Sequence, residues 1–369
     1  MNPIKQLQTF GQSVWLDFIR RGMLEDGTFA AMIAEDGISG VTSNPAIFQQ
    51  AIAQSNDYAQ AIRALAQSGK SVEEIYDTLT VEDIQHAADI FHAVYKNTAG
   101  RDGYVSLEVN PRLAYDTEGT LTDARRLWHA LGRANTMIKV PATQEGLPAI
   151  RTLLTEGINV NVTLLFSTTR YRAVAEAYVE ALETRAARGL PLDNVASVAS
   201  FFISRIDSLM DALLDQHPCS EARALKGRIA IASAKAAYAV YREIFHSDRF
   251  RALQAQGARP QRLLWASTST KNPAYSDIKY IEALIGPETV TTVPLKTLDA
   301  YRDHGRPAER LTRGIPEAQA MLASLADMQI DLEAAMQQLE DEGVKKFVQA
   351  FDQLMHTLAE ARAAALQDN

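Results

Sequence analysis

The chain places a lysine inside a run of apolar residues. Lys139 stands in the segment 136–141, which has the β-branched and apolar composition of a short buried strand and ends in a proline. Lysine is rarely buried, because its charge is costly to remove from water unless it is paired or neutralised. A neutral, desolvated amine is a nucleophile that forms a Schiff base with a carbonyl compound. The pattern therefore predicts covalent chemistry on a carbonyl substrate.

Polar residues also stand near the ends of five other strand-like runs, and one follows the second run. Addition of Lys139 to a ketone and loss of water require acid–base groups within hydrogen-bond reach. Glu108 and Thr163 could hold and activate a water for this proton transfer, and Asp17 could take the hydroxyl proton whose loss breaks a carbon–carbon bond. The protonated imine is the electron sink, so we expect neither metal nor cofactor. The complete set beside the lysine is Asp17, Asn44, Glu108, Asn161, Thr163, Ser200 and Ser267.

Each of these residues also has a purely structural interpretation, and the sequence leaves both open. Asn44 could be only a helix cap, and Thr163 could follow the β propensity of threonine. Asp17 and Glu108 could pair with structural cations, and Lys139 could extend to solvent or pair with a carboxylate. The convergence of several such residues on one place favours a catalytic role over a structural one. In a barrel, we expect five of these side chains to point into one mouth: Lys139, Asp17, Glu108, Asn161 and Thr163.

The elements that would position these residues are strands alternating with long helical patterns. Such alternation is typical of βα units around a parallel sheet, and eight strands are the number in a closed (β/α)8 TIM barrel, whose active site lies at the carboxyl ends of the strands. Two long connections, after the second and sixth strands, predict extra helices. The predicted strands are 14–18, 40–43, 104–109, 136–141, 160–165, 195–202, 263–267 and 291–293.

Helix signals mark several boundaries. Asn44 before a proline predicts an N-cap, and residues 120–123 approximate a capping box before a helix at 124–131. A helix from about residue 144 should end at Gly157. No Pro/Gly/Ser-rich linker divides the chain, so we expect one elaborated barrel domain over residues 1–369.

The C-terminal segment, from about residue 316, should also be helical. Its apolar stripe is interpreted as packing, and Gly343 is expected to divide the segment into two helices. The stripe consists of Phe347, Phe351, Leu354 and Leu358.

Composition limits the partners. The 369 residues carry a net charge of −8 without a long basic run, which argues against nucleic acid or an anionic membrane as a partner. No stretch has the length of a membrane span, and the N-terminus does not resemble a signal peptide. Cys219 is the only cysteine, so we expect no internal disulfide, no structural zinc site and a cytoplasmic location. His86 and His92 are six residues apart, which does not suit two metal ligands on one helix face.

Several motifs of the chain resemble those of transaldolases, in the same order. The resemblance extends from about Asp17 to Leu298 and implies an enzyme of the pentose phosphate pathway. Such an enzyme transfers a dihydroxyacetone unit from sedoheptulose 7-phosphate to glyceraldehyde 3-phosphate, giving erythrose 4-phosphate and fructose 6-phosphate. The matching segments are 42–45, 107–109, 112–116, 138–139 with 143–146, and 157–167, the last being the most specific.

The resemblance also implies roles for individual residues. Lys139 would be the Schiff-base lysine, Glu108 and Thr163 the pair that activates water, and Asp17 the acid–base residue of bond cleavage. Arg205 would bind phosphate through its fork of N–H donors, although a solvated helix start would explain it too. The hydroxyl groups of the substrate would be held by Asn44, Asn161 and Ser200.

Two segments depart from the common family pattern. The seventh strand is usually followed by Ala-Ser-Phe-Arg-Asn, whereas this chain has a longer segment, 266–272, in which Ser267 is kept and Lys271 is the candidate to replace the phosphate-binding arginine. In the sixth-strand motif, Phe201 and Ser204 stand where proline and glycine are usual. Both departures, with the length of the chain, resemble a longer bacterial branch of the family.

Three alternatives remain open at this point. A fructose 6-phosphate aldolase would use the same lysine, but such relatives have tyrosine where this chain has Phe202, and phenylalanine cannot assist proton transfer to water. A non-catalytic barrel could bind sugar phosphates, and a pyridoxal-phosphate enzyme would also form a lysine imine. The expected partners are phosphorylated sugars, and both a monomer and a homodimer are compatible with the sequence.

Overall fold

Eight parallel strands close into a barrel in a computed structural model that describes residues 2–217 and 219–367. Each strand pairs with the next in the chain, and β8 returns to β1. The predicted (β/α)8 barrel is confirmed, and the strand boundaries differ from the predicted ones by two residues or fewer. The strands are β1 Gln12–Leu16, β2 Gly40–Thr42, β3 Tyr104–Glu108, β4 Thr136–Pro141, β5 Val160–Leu165, β6 Ser197–Phe202, β7 Arg262–Ala266 and β8 Thr289–Val293.

Helices surround the barrel, and the expected extra helices are present after β2 and β6. Three 3₁₀ helices add to them, at Leu7–Phe10, Pro111–Leu113 and Ser324–Met328. Among the described residues, no helix is both long and apolar enough to cross a membrane. The helices are α1 Pro3–Gln6, α2 Arg21–Glu25, α3 Thr28–Asp36, α4 Pro45–Ala53, α5 Ala59–Gln67, α6 Val72–Asn97, α7 Thr117–Leu131, α8 Gly146–Glu156, α9 Thr168–Ala187, α10 Ser204–Leu214, α11 Ser220–Leu225, α12 Ile229–Phe245, α13 Asp248–Gln254, α14 Lys279–Ala283, α15 Leu295–His304, α16 Ile315–Ala323 and α17 Leu332–Gln367.

The strands are buried along their whole length, as expected for a parallel sheet covered by helices on its outer face. A polar residue in such a strand is costly unless it finds a partner inside the protein. The register places Lys139 beside Glu108 on one side and beside Asn161 on the other. The pairing of the strands alone thus brings three of the predicted site residues to one level of the barrel.

The closure of the barrel joins distant parts of the chain. β1 pairs with β8 at five positions but with β2 only through Leu16 and Val41. A side-chain bond reinforces the closure, since Gln12 Nε2 donates to Thr289 Oγ1 at 2.9 Å across 277 residues of sequence. The first strand is therefore fixed mainly by the last.

Local helix signals give mixed outcomes. Asn44 caps α4, accepting a hydrogen bond from the Ile47 amide at 3.0 Å, and Gly157 ends α8 with φ of 92°, as predicted. The predicted capping box at 120–123 is wrong, because α7 begins at Thr117, seven residues before the start of the predicted helix. Asp116 is its N-cap and accepts from the Gly119 amide at 3.0 Å. Aspartate is a preferred N-cap, and Thr120 instead donates to the Leu113 carbonyl.

The expected break at Gly343 is also wrong, because α17 runs through this glycine without interruption. A Cβ at position 343 would lie 2.9 Å from Leu164 Cδ2 at the end of β5. The glycine therefore serves close packing of α17 on the barrel rather than a turn. Phe347, Phe351, Leu354 and Leu358 are all buried, which confirms the packing stripe.

Candidate active site

A cavity of about 370 Å³ opens at the carboxyl end of the barrel. Residues from β1, β2, β4, β5, β6, β7 and β8 or from the loops that follow them contribute to its wall, as in other barrels of this type. The structure thus brings together side chains that are up to 330 positions apart in the sequence, between Asp17 and Phe347. The predicted site residues in the wall are Asp17, Asn44, Lys139, Thr163, Ser200, Phe202, Arg205, Ser267 and Lys271.

Lys139 is buried in the floor of this cavity, with 4% of its surface exposed. Its Nζ donates a hydrogen bond to the Ser43 carbonyl at 3.0 Å and lies 3.7 Å from Glu108 Oε2. The alternative in which the lysine pairs with a carboxylate is therefore present in the structure. The pair does not exclude chemistry, because the partner is itself one of the predicted acid–base residues.

The fold raises the proton affinity of the Glu108 carboxyl group. Burial raises its pKa to about 7, although the positive charge of Lys139 acts against the rise. Neither carboxyl oxygen accepts a hydrogen bond from the described residues. A carboxyl group with a pKa near neutrality can exchange a proton with a neighbouring amine at physiological pH.

Glu108 and Asn161 do not line the mouth cavity, so the expectation that all five polar side chains point into one mouth is wrong for these two. Glu108 lines a second cavity, of about 480 Å³, beside Tyr76 and Asp123. Asn161 is fully buried, and both ends of its amide group are hydrogen-bonded. Nδ2 donates to Ser106 Oγ at 3.0 Å, and Oδ1 accepts from Ser200 Oγ at 2.7 Å. Both residues contact the mouth through a neighbour, Lys139 or Ser200.

Asp17 and Thr163 face the cavity directly. Asp17 follows β1, and its burial raises its pKa, while Lys139, Lys271 and Arg205 lower it. Thr163 Oγ1 is buried in the cavity wall and makes no hydrogen bond with the described residues. The hydroxyl of Thr163 and the carboxylate of Asp17 are thus available to a molecule in the cavity.

Two cations also line the cavity. Arg205 lies in the first turn of α10, and burial lowers its pKa. Lys271 Nζ donates to Ser269 Oγ at 2.7 Å, and its pKa is lowered by burial and by Arg205. Ser267, with φ of 54°, places its hydroxyl 2.9 Å from Ser204 Oγ. Two cations beside hydroxyl groups suit a phosphate group.

Two contributors to the site escape the predictions made from sequence. The Ser43 carbonyl binds Lys139, and its only signal is its place directly before Asn44 in the 42–45 motif. Phe347 lines the cavity and lies over Arg205, although the sequence pattern assigns it only to packing. An apolar stripe gives no sign of which of its members reaches a cavity on another element.

The site combines a nucleophilic amine, carboxyl groups and cations that could bind an anion. Within residues 2–217 and 219–367, no three His, Cys, Asp or Glu side chains are grouped as metal ligands. The groups of the chain that can carry chemistry here are the Lys139 amine, two carboxyl groups of raised pKa and the cations Arg205 and Lys271.

Comparisons with known proteins identify relatives of the chain. The family model described as Transaldolase/Fructose-6-phosphate aldolase matches residues 14–358. A transaldolase of Thiobacillus denitrificans is 50% identical, covering 96% of this chain and 99% of the relative. Transaldolases of Trichodesmium erythraeum and Thermobifida fusca are each 48% identical, with coverage of 97% or more of both chains.

Proposed function

The chain belongs to the transaldolase/fructose-6-phosphate aldolase family, and from this premise we propose that it is a transaldolase of the pentose phosphate pathway. It transfers a dihydroxyacetone unit from sedoheptulose 7-phosphate to glyceraldehyde 3-phosphate, releasing erythrose 4-phosphate and forming fructose 6-phosphate. A cytoplasmic location, expected from the single cysteine, is part of the same proposal. The observation that carries the chemistry is the buried Lys139 amine, 3.7 Å from a carboxyl group of pKa about 7.

The first step is formation of the Schiff base. Glu108 accepts a proton from the Lys139 ammonium, and the neutral amine adds to the ketone carbon of the donor. The resulting carbinolamine loses its hydroxyl group as water, and Glu108 with the Thr163 hydroxyl directs the proton to that leaving group. The pKa of Glu108 supports this role, because a group that titrates near 7 both accepts and returns a proton at low cost.

The second step breaks the carbon–carbon bond. Asp17 takes the proton from the substrate hydroxyl beside that bond, and the aldose leaves as an aldehyde. The bonding electrons move to the iminium, which becomes an enamine on Lys139. The enamine then attacks the carbonyl carbon of the acceptor aldose, Asp17 returns the proton, and hydrolysis of the new iminium regenerates the amine.

The remaining residues bind the substrate. Asn44 and Ser200 lie in the cavity wall and hold the hydroxyl groups, while Asn161 orients Ser200 through their 2.7 Å hydrogen bond. Arg205 and Lys271 bind the phosphate group, the lysine acting as a point charge in the longer loop after β7. Ser267 lines the same cavity, and its hydroxyl group bonds to Ser204 at the start of α10.

The test is release of glyceraldehyde 3-phosphate from fructose 6-phosphate without an acceptor, quenched with borohydride and followed by peptide mass. We expect a burst of about one product per enzyme and a reduced dihydroxyacetone adduct on Lys139. Absence of both would contradict the proposal.

Continuous release of glyceraldehyde 3-phosphate would identify an aldolase instead. Phe202 in the cavity wall, where the aldolases carry tyrosine, favours transfer, because it supplies no hydroxyl group to activate water.

A further inference from the structure

Arg205 contacts two aromatic rings that come from distant parts of the chain. Its guanidinium carbon lies 5.2 Å from the ring centroid of Phe202 and 5.9 Å from that of Phe347. Arginine packs its planar group on aromatic faces, which restricts the plane while leaving the N–H edges available. Phe202 ends β6 in the same βα unit as Arg205, whereas Phe347 belongs to α17. The orientation of this arginine therefore depends on the C-terminal helix.

Arg205 donates no hydrogen bond to the described residues. In the part of the chain that the structure describes, no carboxylate lies within ion-pair distance of Arg205, and its Nη1 is buried without a hydrogen-bond partner. Arg249 on the surface shows the usual arrangement, binding both Glu176 and Glu183. Arg205 is half-buried, and a cation in such a place without a carboxylate at ion-pair distance, beside a cavity, indicates an anion as its partner.

Gly343 allows α17 to approach closely enough for this contact. A Cβ at this position would lie 2.9 Å from Leu164 Cδ2 and 3.5 Å from Arg205 Nη1. Phe347 is one helical turn further along and reaches the same guanidinium. Contacts on both sides fix the helix, since Ser167 Oγ donates to Glu333 at 2.8 Å and Arg112 pairs with Asp352 at 2.6 Å.

We propose that α17 is part of the anion-binding site, with Phe347 and Gly343 as positioning residues for Arg205. Phe347 and Phe202 fix the guanidinium plane, so that its N–H edge faces the phosphate group of the sugar substrate. Gly343 sets the distance of the helix from the cavity. This inference rests on the proposed function, because the anion is taken to be the phosphate group of a sugar phosphate.

The test compares Phe347→Leu with Phe351→Leu in the full-length enzyme. Both phenylalanines are equally buried on the same helix, at 4% and 5% exposure, but Phe351 packs on Tyr76 instead of Arg205. Loss of one cation–π contact should lower the preference for fructose 6-phosphate over fructose, measured as the ratio of kcat/KM values, about tenfold. The change should be in KM, while Phe351→Leu keeps the wild-type preference.

A second variant distinguishes the proposed positioning role from a general packing defect. Gly343→Ala adds only a Cβ, and we expect a smaller loss of preference in the same direction, of about threefold. The inference is overturned if Phe347→Leu keeps the wild-type preference, or if Phe351→Leu loses it to the same extent.

Binding of inorganic phosphate, measured by the rise in Tm that it causes, gives a readout without turnover. Phe347→Leu should diminish this rise, whereas Phe351→Leu should not. A wild-type enzyme without a borohydride adduct on Lys139 would refute the proposed function, even if phosphate binding still depended on Phe347. A normal adduct with unchanged phosphate binding in Phe347→Leu would refute only the role of α17.

Discussion

Charged side chains are buried at both ends of the barrel, but their surroundings differ. At the amino end, Asp102 accepts hydrogen bonds from Ser13 at 2.7 Å, Trp15 at 3.1 Å and Arg262 at 3.0 Å. Arg262 also donates to Ser13 and to a backbone carbonyl. At the carboxyl end, Glu108 lies 3.7 Å from Lys139 and accepts no hydrogen bond from the described residues.

The difference shows what each end contributes. A buried ion pair with every lone pair and proton engaged fixes geometry, and removal of one partner leaves an uncompensated charge. A buried carboxyl group with few partners keeps its burial cost, which appears as the raised pKa of Glu108. The amino end therefore supports the fold, and the carboxyl end holds groups that are ready to exchange protons.

The largest effect is expected for Lys139→Arg, which tests whether the reaction takes place at the carboxyl end of the barrel. Guanidinium keeps the positive charge but does not form an imine, so turnover should fall at least about a thousandfold with little loss of folding. Lys235→Arg is the control, because Lys235 also donates to backbone carbonyls but lies away from the site. Near-normal activity of Lys139→Arg, measured at saturating substrate, would remove the basis of the mechanism.

Glu108→Gln should separate activity from stability at the same end of the barrel. Loss of an acid–base group should lower kcat about 10²- to 10⁴-fold, and a limb near pH 7 in the profile of kcat/KM should disappear. The control is Glu340→Gln, which replaces another buried carboxyl of raised pKa on α17.

The sign of the stability change follows from linkage. The folded pKa of Glu108, about 7, lies above the ordinary value of 4.5, so the folded state holds the proton more tightly. Stability of the wild type therefore falls as pH rises from about 4.5 to 7, by about 3 kcal/mol at most. Glutamine resembles the protonated acid, so Glu108→Gln should have the higher Tm at pH 8. A lower Tm there would show that Glu108 is a structural partner like Asp102.

Asp102→Ala should do the reverse at the amino end. Arg262 would remain buried without its carboxylate, which costs about 3–5 kcal/mol in the free energy of unfolding. Urea titration measures this loss, while kcat of the folded fraction should stay within about twofold because the site lies at the other end. A large fall in kcat with unchanged stability would contradict the assignment of the amino end to stability and the carboxyl end to chemistry.

The smallest effect is expected for a pair of threonines. Thr163 Oγ1 has no hydrogen-bond partner among the described residues, whereas Thr136 Oγ1 donates to the Arg133 carbonyl at 2.8 Å. Thr163→Val should lower kcat about tenfold and leave Tm unchanged or higher, while Thr136→Val should lower stability by about 1 kcal/mol and leave kcat unchanged. Equal effects of both substitutions on Tm and kcat would contradict the comparison.

Much of the fold could be predicted from the sequence, because parallel strands buried on both faces appear as short apolar runs between helical patterns. The same rule made Lys139 conspicuous. Boundaries set by competing caps could not be predicted, since Asp116 and the 120–123 segment both carry N-cap signals. Gly343 was misinterpreted for a related reason, as its role depends on Leu164, 179 positions earlier in the chain.

The membership of the site was predictable, but its inner arrangement was not. Strand register is enough to place Glu108, Lys139 and Asn161 side by side. Which of them faces the cavity depends on side-chain hydrogen bonds, such as that between Asn161 and Ser200, that no local pattern encodes. The contribution of Phe347 likewise depends on where a distant helix crosses the mouth.

The closure of β1 on β8 has a consequence for how the protein is made. Asp17 follows a strand whose main partner, β8, is synthesised some 270 residues later, so the first strand emerges from the ribosome long before its edge can be covered. Contacts between residues so far apart in the sequence form slowly, and the edge of the sheet at β1 stays uncovered until β8 is available. Folding of this protein should therefore depend on chaperones most strongly before residue 293 is translated, and truncation before β8 should yield aggregate rather than a smaller barrel.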